Sequence, residues 1–368
     1  MSYRSCIAQS RKELMDFLNL PYIVYAEDKN WITPLLSETK RILDKKVNPY
    51  FRNADIIFFN CYKDNSIASR TIIVLNKEYE KKLGKSTAIF GFFESINDEE
   101  AAKNLFEYVF KYCKEKGVQQ IIGPFNPNHY SELGLQISDF QEPASFFQTY
   151  NPEYYCSLLT KCGFVISKKL HIRKNPNISE YLEKIYGDKE IVVPDGYSLR
   201  IFNADKKEEE LENLRGIYND AFEDNVYFIP VNKEEYIFSS KYISIVTDPD
   251  MLIFSEYKNE PVGVIQFCYD INPLLKKFKG RIGPLKYLKF MKEKKNINTI
   301  IFYAVGIKKA HRNSKVIRLL LKASIHLLKK YKNLETTWMT YDNLLAIKAA
   351  EHLGLQPGKE FAILSYDL

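Results

Sequence analysis

The sequence predicts an α/β (α+β) chain of two tandem domains, residues 1–190 and 196–368, each a mixed, mainly antiparallel sheet flanked by helices. Three observations carry this expectation. The chain has 368 residues, the length of two domains at roughly 100–200 residues each. Short apolar runs alternate with stretches of helical period in both halves. Finally, Asn151, a helical stretch with Leu158 and Leu159, and then Gly163 and Phe164 are echoed by Asn343, a helical stretch, and then Gly354 and Leu355. Asn to Gly spans 12 positions in the first case and 11 in the second, with about 190 residues between the two. That interval is too long for a solenoid repeat and fits a duplicated domain.

Taken in order, Arg11–Asn19 has the spacing of a short amphipathic helix, and Trp31, Pro34 and Leu35 lie in a turn-rich segment before a helix at Leu36–Asp44. Ile56–Tyr62 and Ile67–Leu75 read as strands joined through Lys63–Ser66, a hairpin signal. Ser86–Phe93 is a third strand. Asp98 is placed to cap a helix that Gly117 ends, and Val118–Gly123 is the next strand. Ile178–Tyr186 reads as a linking helix, and Pro194 with Gly196 marks the boundary. The second half opens with a strand at Tyr197–Phe202 and a helix at Glu208–Phe222. Strands Met251–Tyr257 and Val262–Cys268 flank a turn at Lys258–Pro261.

Composition bounds the compartment and the partners. The chain is 45% hydrophobic, enough for real cores, with a formal charge of +7. A pI near 8.8 permits acidic partners without selecting one. The six cysteines form no C-x-x-C pair and the five histidines are scattered, so no metal site is expected. Free thiols fit a reducing cytosol. The N-terminus lacks an apolar signal core, and no run approaches a membrane span. A cytoplasmic protein is expected, with a peripheral place at the inner membrane face as the alternative. That alternative comes from Lys276–Lys295, which holds nine basic residues and one acid with Leu285, Leu288 and Met291 at helical spacing. Nucleic acid is not the expected partner, because no basic motif with stacking aromatics is present.

The last fifth of the chain gives the reading its direction. Ile300–Val305 is a buried-strand run, Gly306–Ser314 a polar loop, and Lys315–Tyr331 a helix with Val316, Leu320, Ala323 and Leu327 on one face. A strand at Glu335–Met339, a helix capped by Asn343 and a final strand at Phe361–Tyr366 follow. This order resembles the core of the GNAT acetyltransferase superfamily, with Arg312 at the loop and Asn343, Ala346, Gly354 and Leu355 in the closing helix. The family's loop glycines are replaced by Asn313, Lys315 and Ile317, and Ala350 stands where many members carry a proton-donating tyrosine. The segments DKNWITPL, NPYF, GFFES, GPFNPN, ELGL, TYNPEYY, IYND and DIN, in that order, resemble a bacterial family of tandem GNAT-like proteins. The resemblance implies two tandem GNAT-like acyltransferase domains and acyl-CoA as co-substrate, with no metal. Some related bacterial proteins are thought to acylate long-chain amines in sphingolipid synthesis, and N-myristoyltransferase is similarly built from tandem GNAT domains. The function so implied is an acyl-CoA-dependent N-acyltransferase acting on a small-molecule or lipid amine. The alternative is a GNAT-fold binding protein without catalysis.

Acyl transfer to an amine needs a base for the amine proton, donors for the thioester oxygen, and alignment of the two substrates. The stretch Gly123–Tyr155 is densest in suitable groups. His129, Glu132 and Tyr155 are the candidate catalytic residues, and Asn126, Tyr130, Asn151, Asp270 and Asn272 the candidate substrate contacts. Arg312, Lys315 and Asn343 are the candidate contacts to CoA, at a helix start that favours phosphate. Each also has an ordinary structural reading: Asn126 and His129 as loop hydrogen-bonders, Asn151 as a helix cap, Asp270 as a turn cap.

Overall fold

Asp64 and Asn65 both take positive φ, 45° and 71°, the backbone twist that a two-residue hairpin turn requires. They join β2 (Ala54–Lys63) to β3 (Ser66–Asn76), the longest antiparallel ladder of the first half. The computed structural model describes residues 2–186, 192–280, 282–312 and 315–368. It divides the chain into two compact units, Met1–Leu170 with Lys359–Leu368, and His171–Gly358. Residues 171–186 and 359–368 therefore lie in the other unit from the one a division at 190–196 gives them.

In the first unit β1 (Tyr3–Ile7) pairs with β2, and β3 with β4 (Thr87–Ser95), all antiparallel. Helices α1 (Arg11–Val24) and α2 (Leu36–Leu43) fill the β1–β2 connection, and α3 (Lys77–Leu83) precedes β4. Ser10 and Glu13 close a capping box on α1, which runs through Pro21 beyond the expected end at Asn19. Asp98 caps α4 (Glu99–Glu115), and Gly117, at φ 72°, follows its end, as the sequence predicts. The helix returns the chain to β5 (Gln120–Gly123), parallel to β4. Short ladders follow: β6 (Phe125–Asn126) with β7 (Glu132–Leu133), and β8 (Leu135–Gln136) with the last strand. Next come α5 (Tyr155–Lys161) and β9 (Val165–Asn175), whose last residues belong to the second unit. The core packs Phe90, Phe106 and Phe164 between α4 and the sheet.

The second unit repeats this order. After α6 (Ile178–Tyr186), β10 (Tyr197–Ile201), β11 (Leu252–Tyr257), β12 (Glu260–Tyr269) and β13 (Thr299–Ile307) form an antiparallel run. Helices α7 (Lys207–Phe222), α8 (Lys233–Ser239) and α9 (Ile243–Val246) lie in the β10–β11 connection. Between β12 and β13 come α10 (Asn272–Phe278) and α11 (Pro284–Lys294). Helix α12 (Val316–Leu328) crosses over to β14 (Asn333–Thr336), parallel to β13. The short β15 (Met339–Thr340), α13 (Leu344–His352) and β16 (Gln356–Asp367) close the chain. Leu214, Ile217, Phe254 and Val264 centre this unit's core.

Both units therefore contain a parallel pair that parts midway. Pairing of β4 with β5 stops at Ile89 although β4 continues to Ser95. Pairing of β13 with β14 stops at Phe302 although β13 continues to Ile307. Where such strands part, backbone groups lose their ladder partners and a cleft can admit a ligand.

Candidate functional site

The first unit's β4 is irregular just past this divergence. Arg70 faces Glu94 and Ile72 faces Gly91 across the β3–β4 ladder, so Phe92 and Phe93 together oppose Thr71. This is a β-bulge, and Phe92 takes φ 47° there. A Cβ built on Gly91 would lie 1.8 Å from the Phe125 carbonyl oxygen, so only glycine lets β6 cross this close. The crossing brings Asn126 against the bulge, where its Oδ1 accepts from the Phe92 amide at 2.7 Å. Its Nδ2 donates to Glu132 at 3.4 Å.

Beside the bulge sits a polar cluster that the sequence reading did not assemble. The Tyr155 hydroxyl donates to Glu94 at 2.6 Å and accepts from the Ser95 amide at 2.9 Å. The neighbouring Tyr154 hydroxyl donates to the Ser95 carbonyl at 2.8 Å. Tyr25, which with Tyr155 lowers the Glu94 pKa, donates its hydroxyl to the Tyr150 carbonyl at 3.4 Å and stacks its ring on Trp31 at 4.9 Å. Arg70 is buried, lies 3.7 Å from Glu94, donates to the Phe17 carbonyl, and has its guanidinium over the Phe17 ring. Burial raises the Glu94 pKa, Arg70 and the two tyrosines oppose that rise, and Glu132 adds to it through like charge. Burial lifts the Tyr155 phenol well above its ordinary value, which makes it a poor proton donor to a thiolate and a firm hydrogen-bond donor to Glu94. Glu132 is open to solvent yet crowded by protein atoms, and its pKa is raised by that crowding.

Of the residues singled out in the sequence, the structure puts Tyr155 on Glu94, and sets Asn126, bonded to Glu132, on the Phe92 amide two residues before Glu94. His129 is buried against Tyr79, its Nδ1 3.0 Å from that hydroxyl, and burial holds its pKa down at about 3. It is a neutral imidazole at physiological pH. Tyr130 packs edge-on against His129 and Tyr50. Asn151 does not cap α5, whose N-cap is Tyr154; it accepts from the Gln136 amide at 2.7 Å and donates to the Gln136 carbonyl at 3.2 Å. Asp270 accepts from the Asn272 amide at 3.2 Å at the start of α10, the geometry of a turn cap. Asn343 caps α13 by accepting from the Ala346 amide at 3.1 Å.

The loops where phosphate would sit differ sharply between the units. In the first, Asp98, Glu99 and Glu100 stand at the start of α4, and Asp98 accepts from the Ala101 amide. Three carboxylates repel a pyrophosphate, so this loop does not fit the phosphates of CoA. In the second, Lys308, Lys309, His311, Arg312 and Lys315 precede α12, and the charge fits. Its donors are partly engaged: the Lys309 amide bonds Asp220, the Lys309 ammonium pairs with Glu223 and Asp224, and Arg312 pairs with Asp224 at 2.8 Å. Asn313, one of the replaced glycine positions, lies outside the described residues. Among the described residues no group of three or more His, Cys, Asp or Glu could hold a metal ion, and no helix is long and apolar enough to cross a membrane.

No family model matches the chain. It is 26% identical over 351 residues to a bacterial ceramide synthase of Caulobacter vibrioides, covering 93% of this chain and 91% of that one. It is 24% identical over 369 residues to protein YghO of Escherichia coli, covering 96% and 93%. Among solved structures, a tandem GNAT protein from the clavulanic acid biosynthesis pathway aligns with a TM-score of 0.56 at 11% identity, covering 100% of this chain and 98% of that one. A probable N-acyltransferase from Enterococcus faecalis aligns at 0.54 and 8% identity, covering 100% and 73%. With the same order of pairings in both units, these likenesses show that the chain has a tandem GNAT-like fold.

Proposed function

We propose that the chain is an acyl-CoA-dependent N-acyltransferase that places an acyl group, long-chain in our reading, on a small-molecule or lipid amine. The observation that carries the proposal is Glu94. An ammonium group cannot attack a thioester until it loses a proton. Glu94 is a carboxylate whose proton affinity burial raises toward the useful range. Tyr155 and Arg70 fix its orientation beside a bulged strand. Glu132 adds negative charge within electrostatic reach of Glu94, which favours a cationic amine before its proton leaves. Kinship with a ceramide synthase supports the same reading, since ceramide is an N-acylated long-chain amino alcohol.

Acyl-CoA supplies the thioester when bound. For its phosphates, Lys309, Arg312 and Lys315 are the residues of suitable charge. The carboxylates already engaged with that loop favour a second reading, a GNAT-fold protein that binds a small molecule or lipid without catalysis. The test is amide formation by the purified chain from acetyl-CoA or palmitoyl-CoA and long-chain amines, with melting temperature read in parallel. Amide formed by the chain and lost in Glu94→Gln supports the transferase. A ligand-induced rise in melting temperature without any amide product supports the second reading.

A further inference from the structure

We propose that the outer face of α11 docks this protein onto an anionic lipid surface. Phe290 and Phe278 are buried and face each other across α10 and α11, with ring centroids 6.3 Å apart. Lys294 is buried, paired with Asp248 at 2.8 Å. These contacts fix the helix by one side. At 3.6 residues per turn, Leu285, Leu288, Lys289 and Lys292 project from the opposite side. Leu285 is 84% exposed and Leu288 67%. Two leucines this open, one turn apart, are costly in water unless something covers them.

The surrounding charge says what does. Lys276, Lys279, Lys286, Lys289, Lys292 and Lys295 are all exposed. The one acid of the segment, Glu293, is already held by Lys277 at 2.7 Å. The patch therefore presents an apolar tip inside a ring of cations. A membrane with anionic headgroups satisfies both parts, because the leucines enter the headgroup–acyl boundary while the lysines stay among the phosphates. A soluble polyanion satisfies only the lysines.

The experiment is sedimentation of the full chain with vesicles of phosphatidylcholine alone, or with about a third phosphatidylglycerol. Binding is expected to the anionic vesicles only, and to weaken as salt rises. Leu285→Ser with Leu288→Ser should lower it at least about tenfold. Lys286→Glu, Lys289→Glu and Lys292→Glu together should abolish it, at about fivefold or more for each charge. All five side chains are exposed, and unchanged melting temperatures confirm that the variants fold. Equal binding to neutral vesicles overturns the proposal. So does undiminished binding by the leucine variant, which would make the patch a site for a soluble polyanion.

Discussion

Tyr155 holds Glu94 through a 2.6 Å hydrogen bond while taking one from the Ser95 amide, so the carboxylate and the strand that carries it are tied to α5. Glu94→Gln keeps the shape and removes the base. It should lower turnover by roughly 100-fold or more, the usual scale for a lost acid–base group. Tyr155→Phe should cost less, about tenfold, and should move the acid limb of the pH–rate profile to higher pH. The sign follows from the hydrogen bond, which favours the ionised carboxylate and lowers the Glu94 pKa. Measuring kcat/KM against pH for both variants decides the matter; a Glu94→Gln protein with normal turnover removes Glu94 from the chemistry.

The crossing of β6 over β4 tests the structural half of the site. Gly91→Ala places a methyl group 1.8 Å from the Phe125 carbonyl oxygen, backbone against backbone. Neither strand has room to give, so the melting temperature should fall by well over 5 °C, the order expected of a strained core substitution. Asn126→Ala leaves the Phe92 amide without its acceptor and should cost about 1–3 kcal/mol. If Gly91→Ala melts like the parent, the close approach is not as described.

Much of this fold is written locally. The Asp64–Asn65 and Lys258–Asn259 turns, the Asp98 cap and the glycines after α4 and α13 are short-range signals, and each element they bound was legible. The site is mostly not local. Arg70 and Glu94 meet only through the β3–β4 register, Tyr25 arrives from the end of α1, and Tyr155 from α5. The segment GFFES marked Glu94 as part of a family pattern, but nothing in it told of Arg70. Within Gly123–Tyr155 the ladders β6, β7 and β8 are two residues long, too short for any period to register. Asn151 looked like a cap because Asn before a helix usually is one, yet its side chain serves Gln136 instead.

The buried His129 makes a prediction about stability. Its pKa is held at about 3 in the fold, against an ordinary value near 6.5 once unfolded. Between those values the unfolded chain binds the extra proton. Stability from this residue is therefore complete above about pH 6.5 and is lost as pH falls toward 3. His129→Gln, which cannot take up that proton, should flatten the pH dependence of urea midpoints across this window. It should also move the pH–rate profile of any acyl transfer little, because the imidazole is neutral across the physiological range. A loss of the acid limb in this variant would instead place His129 among the groups that move the amine proton.

The second unit's loop yields the last prediction. Lys309 and Arg312 have the charge to hold phosphate, but Asp220, Glu223 and Asp224 already occupy them. The two cations hold the Asp224 pKa down at about 2, so it is ionised throughout the physiological range and competes with any incoming anion. The groups are well exposed, and exposed pairs are worth little, so the competition is modest. Glu223→Gln with Asp224→Asn should therefore tighten CoA binding by about two- to tenfold, and Arg312→Ala should weaken it by a similar factor. Titration calorimetry with CoA and with pantetheine separates the phosphate contribution, since pantetheine affinity should stay the same in every variant. Were CoA affinity also indifferent to all three substitutions, its phosphates would be held elsewhere, and neither loop would be a phosphate site.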